Sequence, residues 1–280
     1  MPSYETPEDA VRALASVTRY AQWRATPGGR AVSPSGLDVR GARALVAQTL
    51  AGESTAVLDE DTLRQLLACY GIEVWQQPMV HSPDDAVAAA SELGWPVALK
   101  ATAPHLRHRR ELGGVYLDLA GQQELRAAYA ALRDRHGSDT GPLVVQRMAP
   151  VGVATRIAAI QDPLIGPVVS FGLGGAATDL LDDRAHGVPP LSDRDLAALV
   201  RGVRAAPLLL GHRGGPAADL PALEDLIARI GRLVDDVPEV ASVVLNPVVA
   251  GAVGAAVLAA RGRLARPDLP LDRPARSLPG

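Results

Sequence analysis

The chain has 280 residues, of which 48% are hydrophobic, with a formal net charge of −3 and one cysteine. This is enough to bury a sizeable core in one or two domains, while the absence of a global basic field and an aromatic content of 3% argue against nucleic acid as a partner. The apolar runs are too short to cross a bilayer, no signal-peptide pattern opens the sequence and Cys69 has no partner for a disulfide framework, so a cytoplasmic location is expected.

In chain order, residues 6–24 read as a helix, with a threonine cap and a proline ahead of Val11, Leu14, Val17 and Ala21 at helical spacing. The Gly-, Pro- and Ser-rich residues 26–36 form a linker, and a second helix runs from Val39 to Leu50. A helix from Asp59 to Tyr70 ends at Gly71, and 72–80 reads as a strand. Ser82 and Pro83 start a further helix. Strands at 96–101 and 113–119, a helix at 122–137 and a strand at 142–148 complete an α+β unit. The second half repeats the mixture: strands at 153–161 and 166–175, helices at 192–203 and 220–237, and closing strands at 239–250 and 254–264. The Pro- and Arg-rich run from Pro267 reads as a disordered tail. The expected units are therefore a helical segment with linker over 1–52, one α+β unit over 56–150, a second over 151–264 and the tail over 267–280.

Lys100 is the chain's sole lysine among 28 basic residues. An ammonium is a compact point charge with rotating donors, whereas guanidinium is a wide planar fork, so a narrow site around a phosphate oxygen distinguishes the two. Lys100 ends a short apolar strand, followed by His105, Arg107, His108, Arg109 and Arg110, a cluster suited to an anion or to a solvated loop. Gly172, Gly174 and Gly175 follow an apolar strand and permit close backbone approach to a ligand, or a tight turn, in neither the dinucleotide fingerprint nor the Walker arrangement. Arg213 lies between glycines, where it has either a phosphate or Asp219 as partner. Asn246 precedes a proline in an apolar run and reads as a turn former or, if buried, a group requiring hydrogen bonds or a cation.

Taken in order, "PVALKATAPHLRHRRELGGV", "VVQRM", "QDPLIGPVVSFGLGG", "APLLLGHRGG" with Asp219, and "VVLNPVV" resemble the ATP-grasp part of ADP-forming (NDP-forming) acyl-CoA synthetases of the acetate–CoA ligase type, over about residues 56–264. The resemblance implies an α+β ATP-grasp fold, two subdomains clasping ATP or ADP, and a reaction interconverting acyl-CoA, ADP and phosphate with acid, CoA and ATP. It places Lys100 on the nucleotide phosphates, Gln146, Arg147 and Met148 at the hinge bordering the adenine, and His108 where the family relays a phosphoryl group. Gly172, Gly174, Gly175 and Arg213 fall in its ligand-binding loops, and Asn246 in its metal site. The first helix is similar to the end of a CoA-ligase domain, which makes a CoA-binding half the implied partner. Actinobacterial-type relatives also carry a GNAT acetyltransferase domain. The sequence departs from the family where magnesium is held: acidic positions read Val244 and Ala259, and a glutamate position reads Ala154, while Asp179 and Asn246 persist. Magnesium requires oxygen ligands, and phosphoryl transfer relies on the charge it neutralises. The sequence therefore implies a module that holds nucleotide with a weakened magnesium site and acts as a regulatory pseudo-enzyme controlling a GNAT acetyltransferase. The alternative is an active ligase component working with a separate CoA-binding half.

Overall fold

The structure, a computed structural model, describes residues 3–25, 28–106, 112–175 and 181–267. Helix α1 (Pro7–Ala25) has no buried residue, and Val11, Leu14 and Val17 face solvent. Two capped helices follow. Asp38 accepts the Gly41 amide to start α2 (Val39–Thr49), and Asp59 accepts that of Thr62 to start α3 (Glu60–Ala68), with strand β1 (Thr55–Val57) between them.

A four-stranded antiparallel sheet comes next, built from β2 (Met79–Val80), β3 (Val97–Ala101), β4 (Val115–Leu119) and β5 (Leu143–Arg147) in the order β2-β5-β3-β4. Helix α4 (Pro83–Leu93), capped by Ser82 and stopped at Gly94 with φ 85°, packs with α5 (Gln122–His136) on one face. Alternation along β3 and β5 sends Val97, Leu99, Leu143 and Val145 into that core, and leaves Ala98, Lys100, Val144 and Gln146 on the opposite face.

The larger sheet holds β6 (Gly152–Asp162), β7 (Gly166–Leu173), β8 (Arg184–Gly187), β9 (Val240–Gly251), β10 (Ala255–Val257) and β11 (Ala260–Ala265). Its order is β1-β11-β9-β6-β7-β8, with β10 also on β9. Helices α6 (Asp193–Arg201), started by a Ser192/Asp195 capping box, and α7 (Leu220–Asp236), capped by Asp219, cover one face together with α2 and α3. Ile157, Phe171, Val243, Leu245 and Leu264 fill this core, with Leu223, Ile227 and Ile230 of α7 set against them.

Four expectations need correction. Residues 72–80 are not one strand. Val74 makes a single parallel bridge to Val257 and the Trp75 amide donates to the Val257 carbonyl at 2.9 Å, so this segment joins the two sheets and only Met79–Val80 pairs within one. Residues 254–264 form two strands, interrupted at Leu258 and Ala259. The chain does not turn at Asn246: β9 runs through the cis Asn246–Pro247 bond, and three residue steps from Leu245 to Val248 oppose two from Thr155 to Ile157. Strands β1 and β8 were not anticipated, since neither carries an apolar alternation.

Candidate functional site

The small sheet's uncovered face meets the large sheet's uncovered face at a cavity of about 570 Å³, lined by Lys100, Thr102 and Val144 on one side and Pro247, Leu258 and Ala259 on the other. Two linking segments hold the sheets in this position. Trp75 and Ala149 pack on Val249, Ala256 and Leu258, and the Arg147 guanidinium lies 5.7 Å from the centre of the Trp75 ring. The third tie is Gln146, 1% exposed, whose Nε2 donates to the Leu258 carbonyl at 2.8 Å and whose Oε1 accepts from Lys100 Nζ. A buried amide thus spans both sheets and orients the lysine.

The first turn of α3 forms a further wall with Asp59, Glu60 and Asp61. Two of these carboxylates serve the helix: Asp59 accepts the Thr62 amide and hydroxyl, and Asp61 pairs with Arg64 at 2.6 Å. The Thr62 amide, with its hydroxyl second, holds the Asp59 carboxyl below its ordinary range.

Register places other residues on the large sheet's uncovered face. Arg184 of β8 opposes Gly172 of β7, Gly172 opposes Arg156 of β6, Arg156 falls opposite the Asn246–Pro247 step of β9, and the Asn246 amide donates to the Ala259 carbonyl at 3.0 Å. One residue pair further along, His186, Ser170, Ala158, Val244 and Arg261 form a parallel row. The intervening residues Ile157, Phe171 and Leu245 point into the core, which assigns both rows to the other face. Neither row contains a carboxylate.

The structure therefore brings Lys100 and Gln146 together, with Asn246 beside the cavity's Ala259 wall. Arg147 ends β5 opposite Val97, and Met148 lies just past it, where its sulfur accepts the Asp118 amide at 3.4 Å and its amide donates to the Pro96 carbonyl. Gly174 donates its amide to the Ala154 carbonyl at 2.8 Å, and Gly175 has φ 116°, which suits glycine. Arg213 sits in a 3₁₀ turn (His212–Gly214) and does not line the cavity. Of the two partners the sequence allowed Arg213, Asp219 is not taken: its carboxylate accepts from the amides of Ala222 and Gly254. His108 and Asp179 lie outside the described residues. Sequence reading passed over Arg156, Arg184 and Arg261, whose alignment depends on register between distant strands.

The positions that the sequence resemblance gives to magnesium carry no acid: Val244 and Ala259 have no side-chain oxygen and Asn246 has a neutral amide, and among the described residues no group of three His, Cys, Asp or Glu is placed to hold a metal.

Two α+β units whose sheet faces meet at a single lysine are the arrangement of the ATP-grasp class. A family model described as an ATP-grasp domain matches residues 49–264. The beta subunit of acetate–CoA ligase [ADP-forming] I from Pyrococcus furiosus is 31% identical over 198 residues, covering 69% of this chain and 85% of that one. Acetate–CoA ligase [ADP-forming] I from Archaeoglobus fulgidus is 30% identical over 89% of this chain, which spans only 36% of that longer relative. Among solved structures, the dinucleotide forming acetyl-coenzyme A synthetase 1 of Ca. Korarchaeum cryptofilum superposes with a TM-score of 0.66 at 33% identity, covering 80% of this chain and all of that one. Another structure of that protein holds coenzyme A and Mg-AMPPCP, with a phosphohistidine segment pointing towards the nucleotide binding site. The chain belongs to the ATP-grasp family, as a homologue of the beta subunits of ADP-forming acetate–CoA ligases.

Proposed function

We propose that this chain is the nucleotide-binding module of an acyl-CoA synthetase-like protein, one that holds ATP or ADP with little turnover and serves as a regulatory pseudo-enzyme. The observation that carries the reading is the cavity around Lys100: an ammonium is kept and oriented by Gln146, while the large sheet's side of the cavity, Pro247, Leu258 and Ala259, contributes no carboxylate and the acids Asp59, Glu60 and Asp61 come from the first turn of α3. Binding and chemistry separate here on energetic grounds. A phosphate chain is held by charge-assisted hydrogen bonds, whereas phosphoryl transfer also requires charge neutralisation in the transition state. Lys100 Nζ is the donor placed for a phosphate oxygen. The ring of Trp75, held under Arg147 at the linking segments, packs on the apolar Val249 and Leu258.

The partner in this reading is a CoA-binding half, supported by the match to beta subunits and to about a third of a longer ligase. The regulated activity is an attached or associated GNAT acetyltransferase, which rests on the sequence resemblance. The competing reading, an active ligase component, is favoured by the 85% coverage of a named beta subunit. Calorimetric titration with ATP and ADP, followed by incubation with a CoA-binding half and CoA, separates the two. Nucleotide binding without CoA-dependent ADP release supports the pseudo-enzyme, and sustained ADP release with phosphohistidine formation refutes it. An acetyltransferase rate indifferent to the chain, with and without nucleotide, refutes the regulatory role.

A further inference from the structure

The cavity around Lys100 is lined by charges of opposite sign. Lys100 comes from the small sheet, while the first turn of α3 supplies Asp59, Glu60 and Asp61, with Arg64 one turn on. Two of the three acids are committed, Asp59 to the Thr62 amide and hydroxyl and Asp61 to Arg64. Glu60 is exposed where it lines the cavity, and among the described residues its carboxylate takes part in no hydrogen bond or ion pair. Gln76 and Gln77, on the segment that joins the two sheets, bring two amides to the same space. Glu60 and Gln77 also line a second cavity of about 170 Å³, so they stand where the two spaces share a wall.

Resting on the nucleotide-binding reading, we infer that Glu60 holds the sugar of the nucleotide, its carboxylate accepting the two hydroxyls of a ribose, and that the chain thereby selects ribonucleotides. Charge sets the orientation. A phosphate chain is drawn to the Lys100 ammonium and repelled by the acids of α3, so the nucleoside end of the ligand is the end that faces Glu60. The cavity, about 570 Å³, has the size of a site for one such ligand, which touches both walls at once. The chemistry then matches group to group. Neighbouring sugar hydroxyls are two donors side by side, a carboxylate offers two oxygens side by side, and an acid reads a ribose hydroxyl in the same way in dinucleotide sites. The cap at Asp59 fixes the backbone from which Glu60 projects, and the amides of Gln76 and Gln77 add neutral partners for the nucleoside end. An acid in the first turn also favours the helix through its dipole, so the test reads the sugar rather than stability.

The experiment is calorimetry on the full chain with ATP, ADP, 2′-deoxy-ATP and inorganic triphosphate. Wild type is expected to bind ATP about tenfold or more tighter than 2′-deoxy-ATP, the worth of a hydrogen bond to a charged acceptor. Glu60→Ala should weaken ATP by about tenfold or more and bring ATP and 2′-deoxy-ATP to equal affinity, while inorganic triphosphate binds at least as tightly as before. Glu60→Gln, which keeps one oxygen acceptor, should fall between the two. Because Glu60 is exposed, both variants should melt close to wild type. If Glu60→Ala binds ATP as wild type does, or keeps the wild-type ratio of ATP to 2′-deoxy-ATP, the inference is overturned and the nucleotide-binding reading stands. Equal tightening of ATP and triphosphate in Glu60→Ala overturns it as well, since Glu60 then acts by repulsion alone. No binding of ATP or ADP to wild type overturns the nucleotide-binding reading and this inference with it.

Discussion

Replacing Gln146 with leucine tests whether one buried amide both joins the sheets and aims the lysine. Leucine fills nearly the same volume, so the loss is polar. The Leu258 carbonyl loses the donor it now has at 2.8 Å, and Lys100 loses its acceptor. A buried group left unpaired costs about 1–3 kcal/mol, and since Lys100 opens onto a wet cavity, the carbonyl dominates and the total is about 2–3 kcal/mol. At about 2–4 °C per kcal/mol for a chain of this size, the melting temperature should fall by about 5–10 °C. Gln146→Glu keeps an acceptor on Lys100 but sets a carboxylate against the Leu258 carbonyl and neutralises the ammonium, so both stability and ATP binding fall. Melting curves read the stability and ATP titration the binding, with weakening expected for the leucine variant through lost positioning and for the glutamate variant through lost charge. If Gln146→Leu melts within about 1 °C of wild type and binds ATP equally well, the amide neither ties the sheets nor aims Lys100.

Phe171 is fully buried in the large core, and Phe171→Ala should cost about 3–5 kcal/mol in urea unfolding with an unchanged ATP stoichiometry at low temperature. Gly152 starts β6 against β9 where an added Cβ would run into the Ala250 carbonyl, so Gly152→Ala should cost about 1–3 kcal/mol by the same measurement, and a neutral result would contradict the pairing of Gly152 with Gly251. The amides of Gly254 and then Ala222 hold the Asp219 carboxyl below its ordinary value of 3.8. A depressed folded-state value stabilises the fold above the unfolded value and is lost as pH falls through the folded one, so the Asp219 contribution should be complete above about pH 5 and vanish in stronger acid. Asp219→Ala should cost about 1 kcal/mol at neutral pH, and its difference from wild type should shrink on acidification.

Local signals made most elements legible. Ser82–Pro83 and Ser192 with Asp195 each mark a helix start by satisfying amides within three residues, so the cap is written in contiguous sequence. Lys100 was legible for the same reason, as the polar end of a four-residue apolar run. The failures share a cause of opposite kind. Residues 72–78 have strand composition but spend their backbone bridging two sheets, which no window of sequence reveals. Gln146 reads as part of a hinge, yet its donor bond reaches Leu258, 112 residues away. Arg156, Arg184 and Arg261 read as three separate basic residues, and become one face only when β8, β7, β6, β9 and β11 are set in register.

That register changes what the substitutions at Val244 and Ala259 mean. Read along the chain, they are losses: two carboxylates gone from a metal site. Read across the sheet, Val244 stands between Ala158 and Arg261, and Ala259 stands beside Asn246, itself next to Arg156. A carboxylate at either position would pair with the neighbouring guanidinium and withdraw it from any phosphate. The small apolar side chains at 244 and 259 add no carboxylate beside Arg261 and Arg156. On this register Val244→Asp sets its carboxylate opposite Arg261 and pairs with that guanidinium before it restores anything to a metal.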